Sequence, residues 1–257
     1  MCELLGVTAK RKILMNELLV TFFSHSVDHR NGWGLAVLDT DPITIEREPV
    51  MALTSLYLKD RLLGTIETSK CIGHIRFATI GGDSIKNTHP FVRYDISGRQ
   101  WVLAHNGTIF DSEALAPYRF VQEGATDSER ILLYIIDRMG ETYRRKGDVL
   151  SADERIRIVE DTVQTIVPGN KVNLLIYDGE LFYVHKNERG TLHQKTLEEG
   201  MLFATKPLTG DGWEEFPQNQ LMVYRDGDLV YAGKKHNHTY VHNEERMKLL
   251  YLAYAGL

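Results

Sequence analysis

Residues 126–185 read TDSERILLYIIDRMGETYRRKGDVLSADERIRIVEDTVQTIVPGNKVNLLIYDGELFYVH, and this stretch decides the fold class. Thr126-Asp127-Ser128-Glu129 has the form of a capping box, with a hydroxyl at the N-cap and a carboxylate three residues on. It predicts a helix through about Arg145. Ile131, Leu132, Ile135, Ile136 and Met139 form its buried face, and Arg144-Arg145-Lys146 suit the negative end of its dipole. Ser151-Ala152-Asp153-Glu154 opens a second helix with Ile156, Val159, Val163 and Ile166 inward, and Pro168-Gly169 stops it. The pattern then changes period. Residues 172–177 and 181–185 are strand-like on either side of an Asp178-Gly179 turn.

Working outward, the same alternation of sheet and helix recurs. Downstream, residues 221–224 and 229–232 flank Asp226-Gly227 as a further hairpin. Upstream, Leu4-Leu5-Gly6-Val7 is a short apolar start, and the segment 10–23 predicts a helix with Leu14, Leu18 and Phe22 on one face. Residues 35–38 form a strand behind the Gly32-Trp33-Gly34 turn, and residues 71–77 and 101–104 are strand-like. Asn106-Gly107 has the sequence of a hairpin turn. Strands, two helices and strands again make a layered α+β domain. No repeat, low-complexity tract or Pro/Ser-rich linker marks a boundary, so residues 2–257 are read as a single domain.

Composition narrows the function. With 257 residues the chain can bury a substantial core, and 43% hydrophobic with 25% charged residues excludes disordered and fibrous classes. Thirty basic against thirty-five acidic residues leave a net charge of −5, which gives no support to a nucleic-acid partner. Two cysteines are too few for a disulfide framework or a thiolate zinc site. Lys10-Arg11-Lys12 followed by residues 13–23 resembles the start of a secretory signal. Asn16 and Glu17 interrupt the apolar run, however, and no small-residue cleavage site follows. No stretch approaches the ~20 apolar residues that span a bilayer. The expectation is a cytoplasmic protein with no membrane partner and no metal. His25/His29 and His236/His238 lack a carboxylate-rich partner set and read as surface histidines.

Cys2 has an unusual position. If Met1 is removed, Cys2 carries a thiol and a free α-amine on one carbon, a nucleophile and a base on one residue. Several downstream positions have an ordinary reading beside a chemical one. Asn106-Gly107 is either a hairpin turn or a pair of oxyanion donors, a side-chain amide with a backbone N–H. Arg76, amid Ile72, Ile75 and Phe77, either faces solvent or meets a buried partner. Asp127 is the first acidic residue of a capped helix. Trp33 reads as a core anchor and Cys71 as a small buried hydrophobe.

Gly32-Trp33-Gly34, His74-Ile75-Arg76-Phe77-Ala78-Thr79, Thr88-His89-Pro90-Phe91, His105-Asn106-Gly107-Thr108 and Thr126-Asp127-Ser128-Glu129 follow the opening Met1-Cys2-Glu3-Leu4-Leu5-Gly6. In this order and spacing the chain resembles the class-II glutamine amidotransferases, most closely their stand-alone bacterial members. The resemblance implies a four-layer α/β/β/α sandwich of the N-terminal-nucleophile hydrolase type. It implies attack of Cys2 on the γ-amide of L-glutamine, with ammonia released and a thioester hydrolysed to glutamate, and no cofactor. Asn106 and Gly107 would form the oxyanion hole. Arg76 would hold the substrate α-carboxylate and Asp127 its α-ammonium, with Thr79 and His89 near the same pocket. A synthase that accepts ammonia would be the partner. Two alternatives stand beside this: a hydrolase for another γ-glutamyl amide or conjugate, and a catalytically silent glutamine-binding module.

Overall fold

The computed structural model describes residues 2–79 and 81–255. The expectation about Met1 lies outside them. In chain order the elements are β1 (Glu3–Leu14), α1 (Asn16–Ser24), β2 (Trp33–Val37), β3 (Thr44–Glu48), α2 (Leu56–Leu63), β4 (Glu67–Ile75), β5 (Phe91–Tyr94) and β6 (Gln100–Thr108). Then come α3 (Asp127–Lys146), α4 (Ala152–Ile166), β7 (Lys171–Tyr177), β8 (Phe182–His185), β9 (His193–Leu197), β10 (Gly200–Ala204) and β11 (Trp213–Glu215). β12 (Met222–Arg225), β13 (Asp228–Ala232) and α5 (Glu244–Ala255) complete the order.

The strands form two antiparallel sheets. One has the order β11-β9-β10-β1-β4-β2-β3, and the other β13-β12-β8-β7-β6-β5. Alternation along each strand sorts side chains into three apolar layers. On the first sheet, Leu5, Val7, Trp33, Leu35 and Ile75 pack beneath α1 and α2 with Phe22, Phe23 and Leu58. On the second, Trp101, Leu103, Leu174 and Ile176 pack beneath α3 and α4 with Ile131, Ile135, Val159 and Val163. Between the sheets lie the residues of opposite parity, Leu4, Ala36, Ile72, Val102, Ala104, Leu175 and Phe203. The result is the expected α/β/β/α sandwich. A Cβ on Gly6 would come within 2.9 Å of Leu175 Cδ1, so glycine there lets the two sheets meet closely.

The two helices of 126–185 form as their caps predict. Ser151 accepts from the Glu154 amide at 3.3 Å, and Glu154 returns a bond from the Ser151 amide at 2.7 Å, a complete capping box. At Thr126 only half the box forms. Thr126 accepts from the Glu129 amide, but the Glu129 carboxylate takes the Glu123 and Gly124 amides and Arg93 instead.

Three local expectations are corrected. Residues 10–14 continue β1 rather than beginning a helix, pairing Ile13 with Thr68 and Leu14 with Glu67 beyond an irregularity. Sheet pairing with a strand fifty residues away overrides a locally helical pattern. Leu14 is exposed, and the helix starts only at Asn16. Asn106-Gly107 is not a turn: both lie inside β6, opposite Asn173 and Val172, and neither has the positive φ that a tight hairpin requires. Of the four histidines read as surface residues, His238 is exposed and His25 half-buried, but His29 and His236 are buried. His29 is 5% exposed and its Nδ1 donates to the His25 carbonyl at 2.9 Å, and His236 meets His185 at 3.0 Å between ring nitrogens. Burial holds His185 down to about 3, so this pair is neutral. Trp33 and Cys71 are buried as expected.

Candidate active site

The two sheets end side by side, and their ends supply the site. Cys2 immediately precedes β1, and its parity matches inter-sheet Leu4 rather than Leu5 beneath α1. The Cys2 side chain therefore belongs to the layer between the sheets. β4 runs antiparallel to β1 and pairs Ile75 with Glu3, so Arg76 to Thr79 leave the sheet beside Cys2. The Cys2 thiol donates to the Phe77 carbonyl and accepts from the Phe77 amide, both at 3.4 Å. From the second sheet, Asn106 and Gly107 approach on β6, with the start of β7 and the N-terminus of α3 next to them.

Cys2 lines two spaces. An inner chamber of about 30 Å³ is bordered by Arg76, Thr79, His89, Gly107 and Asp127 together with His105. An outer cleft of about 530 Å³ is bordered by Asn106, Glu3, His29, Lys171, Thr205 and Lys206. All seven residues singled out from sequence thus border a space that Cys2 also borders. Asn106 stands on the outer side and the other five share the inner chamber with Cys2.

Arg76 does not face solvent. It is 3% exposed, and its guanidinium donates to the carbonyls of Gly81 at 2.9 Å and Gly82 at 3.2 Å. Burial lowers its pKa, opposed by Cys2, Asp83 and Asp127. Asp127 is buried at the N-terminus of α3 and accepts from the Ile109 amide at 2.7 Å. Its charge sits at the positive end of the helix dipole. Arg76 and Asp127 therefore place one cation and one anion on the walls of one small chamber.

The floor of the chamber is a group of buried imidazoles. His89 stacks on His74 with ring centroids 4.0 Å apart, and among the described residues the His89 ring has no hydrogen-bond partner. Burial drives His74 down to about 3 and His89 well below its ordinary value, so both are neutral. His105 bridges Ser128 at 3.0 Å and the Lys171 carbonyl at 3.2 Å. A carbonyl can only accept, so Nε2 of His105 carries the proton and Nδ1 accepts from Ser128. That bridge passes over Gly107, where an added Cβ would lie 2.1 Å from the Lys171 carbonyl oxygen and 2.3 Å from His105 Nε2. Gly34 is similarly constrained, because a Cβ there would lie 2.0 Å from the His89 carbonyl oxygen.

At Cys2, burial raises the thiol pKa, opposed by the Phe77 amide and by the charges of Arg76 and Lys171. Asn106 is 1% exposed; its amide reaches Thr205 at only 3.4 Å, and its Oδ1 has no partner among the described residues. A buried carboxamide with so much unused capacity is unusual in a packed interior and is suited to a ligand.

The sequence reading missed the second set of cleft residues. Glu3 is buried and ties His25 at 2.8 Å and Lys206 at 2.6 Å. Lys171 is buried and pairs with Glu188 at 2.6 Å. Single charged residues within strands give no motif, and only a period-2 reading of β7 carries Lys171 to the same face as Leu175. Among the described residues, no group of three or more metal-binding side chains occurs. Among the same residues, no helix is long and apolar enough to cross a membrane.

A family model described as class-II glutamine amidotransferases matches residues 1–197. An uncharacterized protein of Methanocaldococcus jannaschii is 30% identical over 91% of this chain and 72% of its own length. A protein of Escherichia coli bearing the provisional name glutamine amidotransferase YafJ is 27% identical over 90% of this chain and the whole of its own. In structure, the chain is similar to a predicted glutamine amidotransferase from Pseudomonas aeruginosa, with a TM-score of 0.63 and 21% identity, covering 90% of this chain and 100% of that one. It is also similar to the Bacillus subtilis glutamine phosphoribosylpyrophosphate amidotransferase, with a TM-score of 0.67 and 16% identity over 91% of this chain but only 49% of that one.

Proposed function

The chain belongs to the class-II glutamine amidotransferases, and on that premise we propose that it hydrolyses the γ-amide of L-glutamine through a Cys2 thioester. The observation that carries this reading is the position of Cys2 between a chamber with one cation and one anion and a wider cleft. In the chamber, Arg76 would receive the α-carboxylate and Asp127 the α-ammonium, with Thr79 and His89 forming the walls. The γ-carbonyl then lies at Sγ, and its oxygen meets the Asn106 amide and the Gly107 N–H. The α-amine of Cys2 takes the thiol proton and delivers it to departing ammonia. Water then cleaves the thioester to glutamate.

Residues 2–257 would act together as one amidotransferase domain: β10, beyond the part matched to the family, pairs directly with β1 beside the nucleophile. A cytoplasmic location suits a nucleophile that must stay a free thiol. The ammonia would pass to a partner synthase.

A second reading, hydrolysis of another γ-glutamyl amide or conjugate, is favoured by the outer cleft, whose 530 Å³ far exceeds the room that ammonia needs. Ammonia and glutamate release from L-glutamine, measured beside a panel of γ-glutamyl compounds, tests both. Turnover of glutamine at a rate comparable to the best conjugate supports the first, and turnover of conjugates alone supports the second. Binding without turnover on any of them would reject both in favour of a silent module.

Two expected results follow from the roles of individual groups. Arg76→Ala and Asp127→Ala should mainly raise KM, because their contacts exist in ground and transition states alike. A fall in kcat with unchanged KM would reject the clamp. The amine requires Met1 to be removed, since with Met1 attached the Cys2 nitrogen is an amide and cannot take a proton near neutrality. As a free amine it has an ordinary pKa near ~7.7–8.0. The intact mass of active protein should be short by one methionine. A non-cleavable N-terminal tag should remove most of the activity without unfolding the chain. Full-rate hydrolysis by a form that retains Met1 would reject the amine as base.

A further inference from the structure

The layer between the sheets is apolar for most of its length, and β7 shows where that ends. Tyr177 and Leu175 point into it, and by the same period of two so do Asn173 and Lys171. On β6 the matching series is Val102, Ala104, Asn106 and Thr108, with Asn106 opposite Asn173 and Thr108 opposite Lys171. Lys171 is therefore on the same sheet face as Asn106, and it borders the same cleft as Cys2.

Packing gives no reason for an ammonium here. Lys171 is 2% exposed, and an apolar side chain would extend the layer without the cost of removing a charge from water. The Glu188 carboxylate lies close to it, at 2.6 Å, and helps to retain the charge. Burial lowers the Lys171 pKa, and Glu188 and Cys2 oppose that shift.

We propose that Lys171 and Glu188 are a positioning pair for the nucleophile: the Lys171 cation favours the Cys2 thiolate and opposes protonation of the neighbouring α-amine, and Glu188 sets how much of that charge the thiol feels. The inference rests on the reading of Cys2 as nucleophile. The proton moves from Sγ to the Cys2 amine and on to the leaving ammonia, and Lys171 keeps its own proton throughout. The other charged groups facing Cys2 are Arg76 and Asp127 in the chamber, and Glu3, Lys206 and Asp28 in the cleft. His89 and His105, both lowered by burial, are neutral, and His29 completes the titratable set.

The test reads the nucleophile itself. The rate of Cys2 alkylation by iodoacetamide is measured against pH, beside the pH profile of kcat/KM for L-glutamine. Lys171→Met should move the acid limb of both curves up by about one pH unit, a tenfold loss at the foot of the limb. Glu188→Gln, which keeps shape and removes the compensating charge, should move them down. Opposite displacements are not produced by a pair that only supports packing. Limbs that superimpose on wild type, or that move together in one direction, overturn the proposal. If Lys171→Met does not fold, Glu188→Gln decides alone: a downward shift upholds it, and no shift or an upward one overturns it. Failure of the underlying reading looks different, because turnover would then survive in Cys2→Ala whatever the limbs do.

Discussion

Cys2→Ala is expected to abolish turnover while leaving the fold intact. The side chain stands at the start of β1, where only one heavy atom is removed. Its bonds to Phe77 are both at 3.4 Å, the weak contacts of a sulfur. Cys2 is also partly open to the cleft, so no closed cavity is left behind. The expected cost is below about 1 kcal/mol, within the range of substitutions that leave the core undisturbed. Chemistry is affected quite differently. In the proposed mechanism the Cys2 thiolate forms the thioester, and Cys71, the second cysteine, could not replace it: it is buried beneath α1, with burial pushing its thiol up to about 12. Ammonia release should fall to the background of the buffer, with an unchanged thermal melt. A glutamine-like diazoketone should add its mass to Cys2 in the wild type and to nothing in the variant. Full activity in Cys2→Ala would end the amidotransferase mechanism for this chain.

What the sequence disclosed, and what it hid, follows the range of the interactions. The helices of 126–185 were legible because a cap and an apolar stripe are local: Ser151 and Glu154 satisfy each other within one turn. The strands on either side of Asp178-Gly179 were legible for the same reason. Residues 10–14 were not, because the partner that makes them a strand is β4, and register across fifty residues leaves no mark in a window of eleven. Asn106-Gly107 shows the ambiguity of a two-residue signal: the dipeptide that most favours a tight turn here runs straight through a central strand, and glycine is required by the His105 ring and the Lys171 carbonyl rather than by φ. In the candidate site, the residues of the chamber were found through motifs, but the second circle was not. Glu3, Lys171 and Lys206 come from three distant segments, and only the closing of two sheets on one another brings them to one cleft. Their charges offset one another locally, so they also leave no trace in the net charge.

Asn106→Ala should lower kcat by roughly 10²–10³, the usual loss for one oxyanion donor, equivalent to ~2.7–4 kcal/mol of transition-state stabilisation. In the ground state the γ-carbonyl of an amide is a modest acceptor. When Sγ adds, a full negative charge develops on that oxygen, and a donor already aimed there strengthens without reorganising. Asn106 has the properties of such a donor. It is held on β6 by pairing with Asn173 of β7, it is 1% exposed, and among the described residues its amide is engaged only by Thr205 at 3.4 Å. The chain thus keeps a rigid, desolvated amide largely unspent, which costs stability and is repaid when an anion forms beside it. Alanine removes the donor without adding bulk, and water entering from the 530 Å³ cleft replaces it poorly, since a mobile molecule must be ordered at each turnover. KM should change little, because the contacts proposed for Arg76 with the α-carboxylate and Asp127 with the α-ammonium are untouched. Asn106→Asp separates charge from shape: it keeps the volume but places a carboxylate where the oxyanion forms, and should be slower than alanine. A variant in which Asn106→Ala raised KM and left kcat unchanged would show that the side chain binds substrate and does not serve the developing charge.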